Sequence, residues 1–138
     1  MATTTATITL ASADMMDNAI SISNTATLYT AGTETGLTET TGLARKKFAS
    51  SSKVDLLTHG SGVAADVTAD KAAKVFIHNA NARNASKHVV ILINSVEVGT
   101  LYGGDWMFFP WSGGSGKDIE IDPSDATETL IEYMVFFE

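Results

Sequence analysis

The sequence predicts an all-β chain, an antiparallel β-sandwich of jelly-roll-like form with about eight to ten short strands. Three observations carry this. Apolar and β-branched residues recur at every second position in short runs, clusters rich in Gly, Asn and Pro separate those runs at sandwich-like spacing, and no stretch sustains the apolar period of a helix.

The elements follow in order. Thr5-Ala6-Thr7-Ile8-Thr9-Leu10, Ile20-Ser21-Ile22-Ser23 and Thr25-Ala26-Thr27-Leu28 alternate with period two and are expected to form half-buried strands. Between them, Asp14-Met15-Met16-Asp17-Asn18 suits a single helical turn capped by Asp14. Ala31 to Gly42 holds three glycines among Thr and Glu and is expected to be a long polar loop, a candidate contact arm. Leu43 to Phe48 carries Arg45-Lys46-Lys47, the one concentration of positive charge, and Val54 to Thr58 is a short apolar strand before His59-Gly60-Ser61-Gly62.

Val75-Phe76-Ile77 is the next strand, and the asparagines of Asn79-Ala80-Asn81-Ala82-Arg83-Asn84 suit a turn because Asn tolerates left-handed backbone. Val89-Val90-Ile91-Leu92-Ile93 is apolar on both parities, which predicts a central strand. Asn94-Ser95 is a two-residue turn into Val96-Glu97-Val98-Gly99. After the Gly103-Gly104-Asp105 turn comes Trp106-Met107-Phe108-Phe109, ended by Pro110, which has no N–H for a ladder. Ser112 to Gly116 is expected to be a flexible tip. Asp118-Ile119-Glu120-Ile121-Asp122 alternates, Pro123-Ser124-Asp125-Ala126 turns, and Thr129 to Phe137 closes the chain.

At 138 residues the chain is expected to be one domain, 1–138, able to bury roughly two-thirds of its unfolded surface, with 1–42 partly an extended Thr-rich arm. Its hydrophobic fraction of 44% and mean hydropathy of +0.09 are those of a folding chain. A formal charge of −7 repels phosphate backbones, so nucleic acid is not an expected partner. The absence of cysteine removes disulfides, thiol nucleophiles and Cys-ligated metals. Met1-Ala2-Thr3-Thr4-Thr5 lacks the charged and apolar regions of a signal peptide, and no apolar run is long enough to span a bilayer. Synthesis in the cytoplasm and no membrane partner are expected.

No arrangement of residues points to catalysis. His59, His78 and His88 are scattered, without the short spacings of metal motifs. Asp118, Glu120, Asp122 and Asp125 offer the oxygens that calcium requires, but the first three share one strand face with Ile119 and Ile121 opposite, which predicts a solvated stripe. That stripe could meet Arg45, Lys46 and Lys47 of another copy by charge complementarity. Asp105 beside Trp106 and Trp111 superficially resembles a sugar-cleaving cleft, but the chain leaves little room for a deep groove. Nucleophile elbow, phosphate loop and dinucleotide fingerprint are all missing. A non-enzyme with no cofactor, no metal site and no catalytic residue is expected.

The ring-rich segment remains. Trp106, Phe108 and Pro110 share one parity; Met107, Phe109 and Trp111 share the other. One set is expected to fill the core, and the second to form an exposed aromatic face of the kind that marks a subunit interface. The interface candidates are therefore Trp106, Met107, Phe108, Phe109 and Trp111, with Arg45, Lys46 and Lys47 as a basic patch.

The stretch from Glu97-Val98-Gly99-Thr100-Leu101-Tyr102 through Gly103-Gly104-Asp105-Trp106-Met107-Phe108-Phe109-Pro110-Trp111, with Asp118-Ile119-Glu120-Ile121-Asp122-Pro123-Ser124 and Leu130-Ile131-Glu132-Tyr133-Met134-Val135-Phe136, resembles small virion structural proteins of tailed bacteriophages, particularly marine and cyanobacterial phages. Ile8-Thr9-Leu10 and Gly36-Leu37-Thr38 in the Thr-rich opening are similar to theirs as well. The resemblance covers most of the chain and is firmest after Lys74. It implies a non-catalytic particle component made in the host cytoplasm and present in many copies: a capsid decoration or cement protein that stabilises the shell, on the capsid surface rather than the tail. Implied partners are itself, as a homo-oligomer such as a trimer, and the major capsid protein or other virion proteins. The alternative is a tail or fibre-attachment component with a glycan- or receptor-binding platform of Trp106, Trp111 and Asp105.

Overall fold

The structure is a computed structural model that describes residues 3–14, 19–49, 51–58, 73–83, 87–125 and 128–138. The described residues are all-β, with eleven strands in antiparallel sheets. They are β1 (Thr5–Ser12), β2 (Ile20–Thr27), β3 (Glu39–Thr40), β4 (Ala44–Phe48), β5 (Val54–Leu57), β6 (Lys74–Asn79), β7 (Val89–Ile93), β8 (Val96–Leu101), β9 (Trp106–Pro110), β10 (Ile119–Pro123) and β11 (Thr129–Phe137).

One sheet has the order β5-β10-β7-β8; the other has β3-β11-β6-β9, with β4 also paired to β11. The pairs β4·β11, β5·β10, β6·β9 and β7·β8 are nested antiparallel partners. The chain from β4 to β11 is thus one long hairpin rolled into two sheets, the winding of a jelly roll. Its midpoint is Asn94-Ser95, where φ values of 49° and 64° give the mirror-image turn that suits strand twist.

Alternation decides what lies between the sheets. Val75 and Ile77 of β6, Ile131 and Val135 of β11, Val89 and Ile91 of β7, and Ile119 and Ile121 of β10 are fully buried. β5 carries one extra residue opposite Ile119 and Glu120, and this bulge lets Leu56 and Leu57 both turn inward. Asn79, also fully buried, joins the sheets. Its Nδ2 donates to the Leu101 carbonyl at 3.0 Å, and its Oδ1 accepts from the backbone and side chain of Asn81. The turn before β9 is equally constrained. Gly104 has φ +85°, and a Cβ on Gly103 would lie 2.2 Å from the Ala82 carbonyl oxygen.

Several expectations are corrected. β1 and β2 pair along their whole length, Thr5 to Thr27 through Ser12 to Ile20, but as a separate two-stranded sheet. They are not half-buried: Leu10 is 58% and Ile22 54% exposed. Residues 31–42 are no free arm, because Tyr29 bridges Gly36, Leu37 is buried, and the Thr41 backbone and hydroxyl bond Val135 of β11. Ser112 to Gly116 is no free tip either. Gly113 and Gly114 are buried, the Lys117 amide donates to the Gly114 carbonyl, and the Trp111 indole donates to the Lys117 carbonyl at 2.7 Å. The Met15 to Asn18 part of the expected helical turn, His59 to Gly62, Asn84 and Ala126 lie outside the described residues.

Candidate interaction face

The parity of β9 is settled by burial. Trp111, 4% exposed, belongs to the core cluster, and Met107 and Phe109 pack against it. Trp106, 52% exposed, points outward with Phe108. Trp106 and Trp111 therefore do not share a surface, and a platform built from both rings is not present.

Register extends the outward parity across the sheet. Trp106 pairs with His78, His78 with Glu132, and Glu132 with Arg45, so these four form one cross-sheet row. The next row runs Phe108, Phe76 and Met134, and Phe136 follows on β11. The rings are in contact: Phe76 and Trp106 have centroids 6.3 Å apart, and Phe108 meets Phe136 edge-on at 6.5 Å. Phe76, Met134 and Phe136 are functional candidates that the sequence reading missed. Their signal was available, because Phe76, Phe136 and Met134 alternate with buried Val75, Ile77 and Val135.

The polar end of the first row is tied internally. His78 Nδ1 lies 2.9 Å from Glu132 Oε2, and Arg45 Nε donates to Glu132 Oε1 at 2.8 Å with Nη2 on the same oxygen. The His78 ring and the Arg45 guanidinium hold the Glu132 carboxyl below its ordinary value. Lys47 pairs with Glu128, and Lys46 sits over the Phe48 ring. The basic triplet thus has partners in its own chain. At the other end, Arg83 binds Asp105 at 2.8 Å, and this contact with the Tyr102 amide lowers the Asp105 pKa.

The hairpin closes the face into a cleft of about 430 Å³, with Ala6, Ile8 and Leu28 on one wall and Phe76, Trp106 and Phe108 on the other. That volume is in the range of ligand pockets. Its lining carries no titratable group except His78.

The outer face of the four-stranded sheet differs. The acidic stripe is not simply solvated: Glu120 is 8% exposed, with Lys53 at 2.8 Å and the Ser95 amide donating at 2.6 Å. Lys53 foremost, with the Ser95 amide, holds its carboxyl below the ordinary value against the opposing effect of burial. Among the described residues no group of three or more His, Cys, Asp or Glu is placed to hold a metal ion, and no helix is long and apolar enough to cross a membrane.

Comparison with protein-family models, with curated proteins and with solved structures finds no match.

Proposed function

We propose that the chain is a structural protein of a phage virion, a capsid decoration protein that stabilises the shell through subunit contacts. The observation that carries this reading is the outward aromatic face of Trp106, Phe108, Phe76 and Phe136, because large apolar faces on a folded domain serve association. The jelly-roll winding suits the role, since that architecture builds particle shells, although it also builds lectins and enzymes and decides nothing alone. The resemblance of the Glu97 to Trp111 segment to small virion proteins supports the same reading.

Purified particles provide the test. The protein is expected as a stoichiometric shell component by mass spectrometry, and particle reconstruction is expected to place it on the capsid surface. Absence from particles rejects the reading. Density on the tail, together with glycan-array binding that Trp106→Ser abolishes, would assign the cleft to receptor attachment instead.

A further inference from the structure

We propose that the β1–β2 hairpin is an assembly arm, and that its exposed apolar end seats in the cleft of a second copy of this chain. The inference deepens the proposed function only in its self-association, and it does not depend on a virion location.

The argument begins with the hairpin's two faces. By register, Thr5, Thr7, Thr9 and Ala11 lie with Thr27, Thr25, Ser23 and Ser21 on a polar face. Ala6, Ile8 and Leu10 lie with Ala26, Asn24 and Ile22 on the other, which is apolar but for Asn24. Ala6 and Ile8 of this face line the cleft, with Thr5 and Thr7 of the same strand, and Ile8 is the farthest described hairpin residue lining it. Leu10 and Ile22 continue the same face and are more than half exposed. Among the described residues neither strand pairs with a third strand. A two-stranded hairpin is marginally stable alone in water, so a partner on its exposed outer half would stabilise it.

The same chain carries the complementary surface. The cleft is open, apolar and walled by Trp106, Phe108, Phe76 and Phe136. The exposed apolar end and the open apolar cleft belong to one chain, which makes a second copy the occupant, and charge leaves that approach open. Two chains of formal charge −7 repel wherever their acids meet, and the outer face of the four-stranded sheet presents Asp55, Glu97 and Asp122. Strands β1 and β2 contain no charged residue, and the cleft lining contains only His78. Hairpin into cleft is therefore an approach of two copies without like-charge cost. Knob and groove are different surfaces, so two copies that exchange hairpins form a two-fold pair, whereas a head-to-tail contact gives a ring if its rotation closes and a filament if it does not.

The test exploits the lack of cysteine. A Leu10→Cys copy and a differently tagged Trp106→Cys copy, mixed and oxidised, are expected to give a mixed-tag disulfide dimer, whereas Leu10→Cys with Val98→Cys, exposed on the other sheet, is not. Sedimentation equilibrium of the unmodified chain is expected to give a multiple of 14.6 kDa. The double variant Leu10→Ser, Ile22→Ser is expected to give a single chain with an unchanged circular dichroism spectrum. A monomeric unmodified chain, an oligomer that survives the double variant, or a disulfide yield no higher than the Val98 control each overturns the inference. If the double variant misfolds, the disulfide yield decides. A chain that binds particles as a monomer would overturn this inference and leave the virion reading standing; a hairpin-dependent oligomer absent from particles would do the reverse.

Discussion

On the outer face of the four-stranded sheet, Glu120 is held by Lys53 and by the Ser95 amide. On the outer face of the larger sheet, Phe76 meets Trp106 and His78, Phe108 meets Phe136, and the near end of a hairpin closes the cleft that these rings wall. Glu120 of the first face is satisfied within the chain and asks nothing of a neighbour, while Asp55, Glu97 and Asp122 beside it repel another acidic chain. The second is neutral and incompletely covered, and removing its apolar surface from water would yield roughly 25 cal/mol per Å² before association costs. The difference shows that the best-held carboxylates, Glu120 and Glu132, are used within the chain, and that the apolar surface is the one left partly uncovered.

The comparison can be broken most forcefully from inside. Ile77→Ala in one sheet and Ile121→Ala in the other are each expected to cost about 2–5 kcal/mol in urea unfolding, because both side chains fill the shared core. A large loss in only one of them would mean that the two faces belong to separately stable layers. Next in size is Asn79→Leu, which removes the bonds to Leu101 and Asn81 and is expected to cost about 1–3 kcal/mol.

Acid sharpens the contrast. The Glu120 carboxyl titrates lower in the folded chain than in the unfolded one, so its contribution is complete above the unfolded value, about pH 4.3, and is lost as pH falls through the folded value. Urea midpoints measured downward from pH 5 are expected to drop less steeply for Glu120→Gln than for the unmodified chain. An identical slope would detach Glu120 from its lysine. The smallest stability change is expected for Trp106→Ser, within about 0.5 kcal/mol on an exposed position, while self-association is lost. A stable variant that still associates would return this face to ordinary surface.

Most of the fold was legible because alternation reports which side chains share a face. Ile119 and Ile121, and the run from Thr129 to Phe137, appear where their pattern put them. Alternation does not report what covers a face. Ile8, Leu10 and Ile22 carry the same pattern as a core strand, yet all three are exposed and their strands pair with no third strand among the described residues. The parity of Trp106 against Trp111 stayed open for the same reason, and burial settled it. Partners distant in sequence were also illegible. Nothing near Arg45 announces Glu132, and nothing near Glu120 announces Lys53, since each pair is created by register between strands far apart in the chain.

The nesting of β4·β11 outside β7·β8 also orders events in time. Asn94-Ser95 closes the innermost pair at almost no loop cost, whereas Arg45 and Glu132 meet across 87 residues. Each nested pair shortens the loop that the next must close. Winding outward from that turn is the inexpensive route, and a fold so dominated by distant pairings belongs with chains that take milliseconds to seconds. Without β11, β6 lacks a neighbour on one side and Phe76 lacks the Met134 that register sets beside it, so the outward aromatic face is complete only when the last strand is in place.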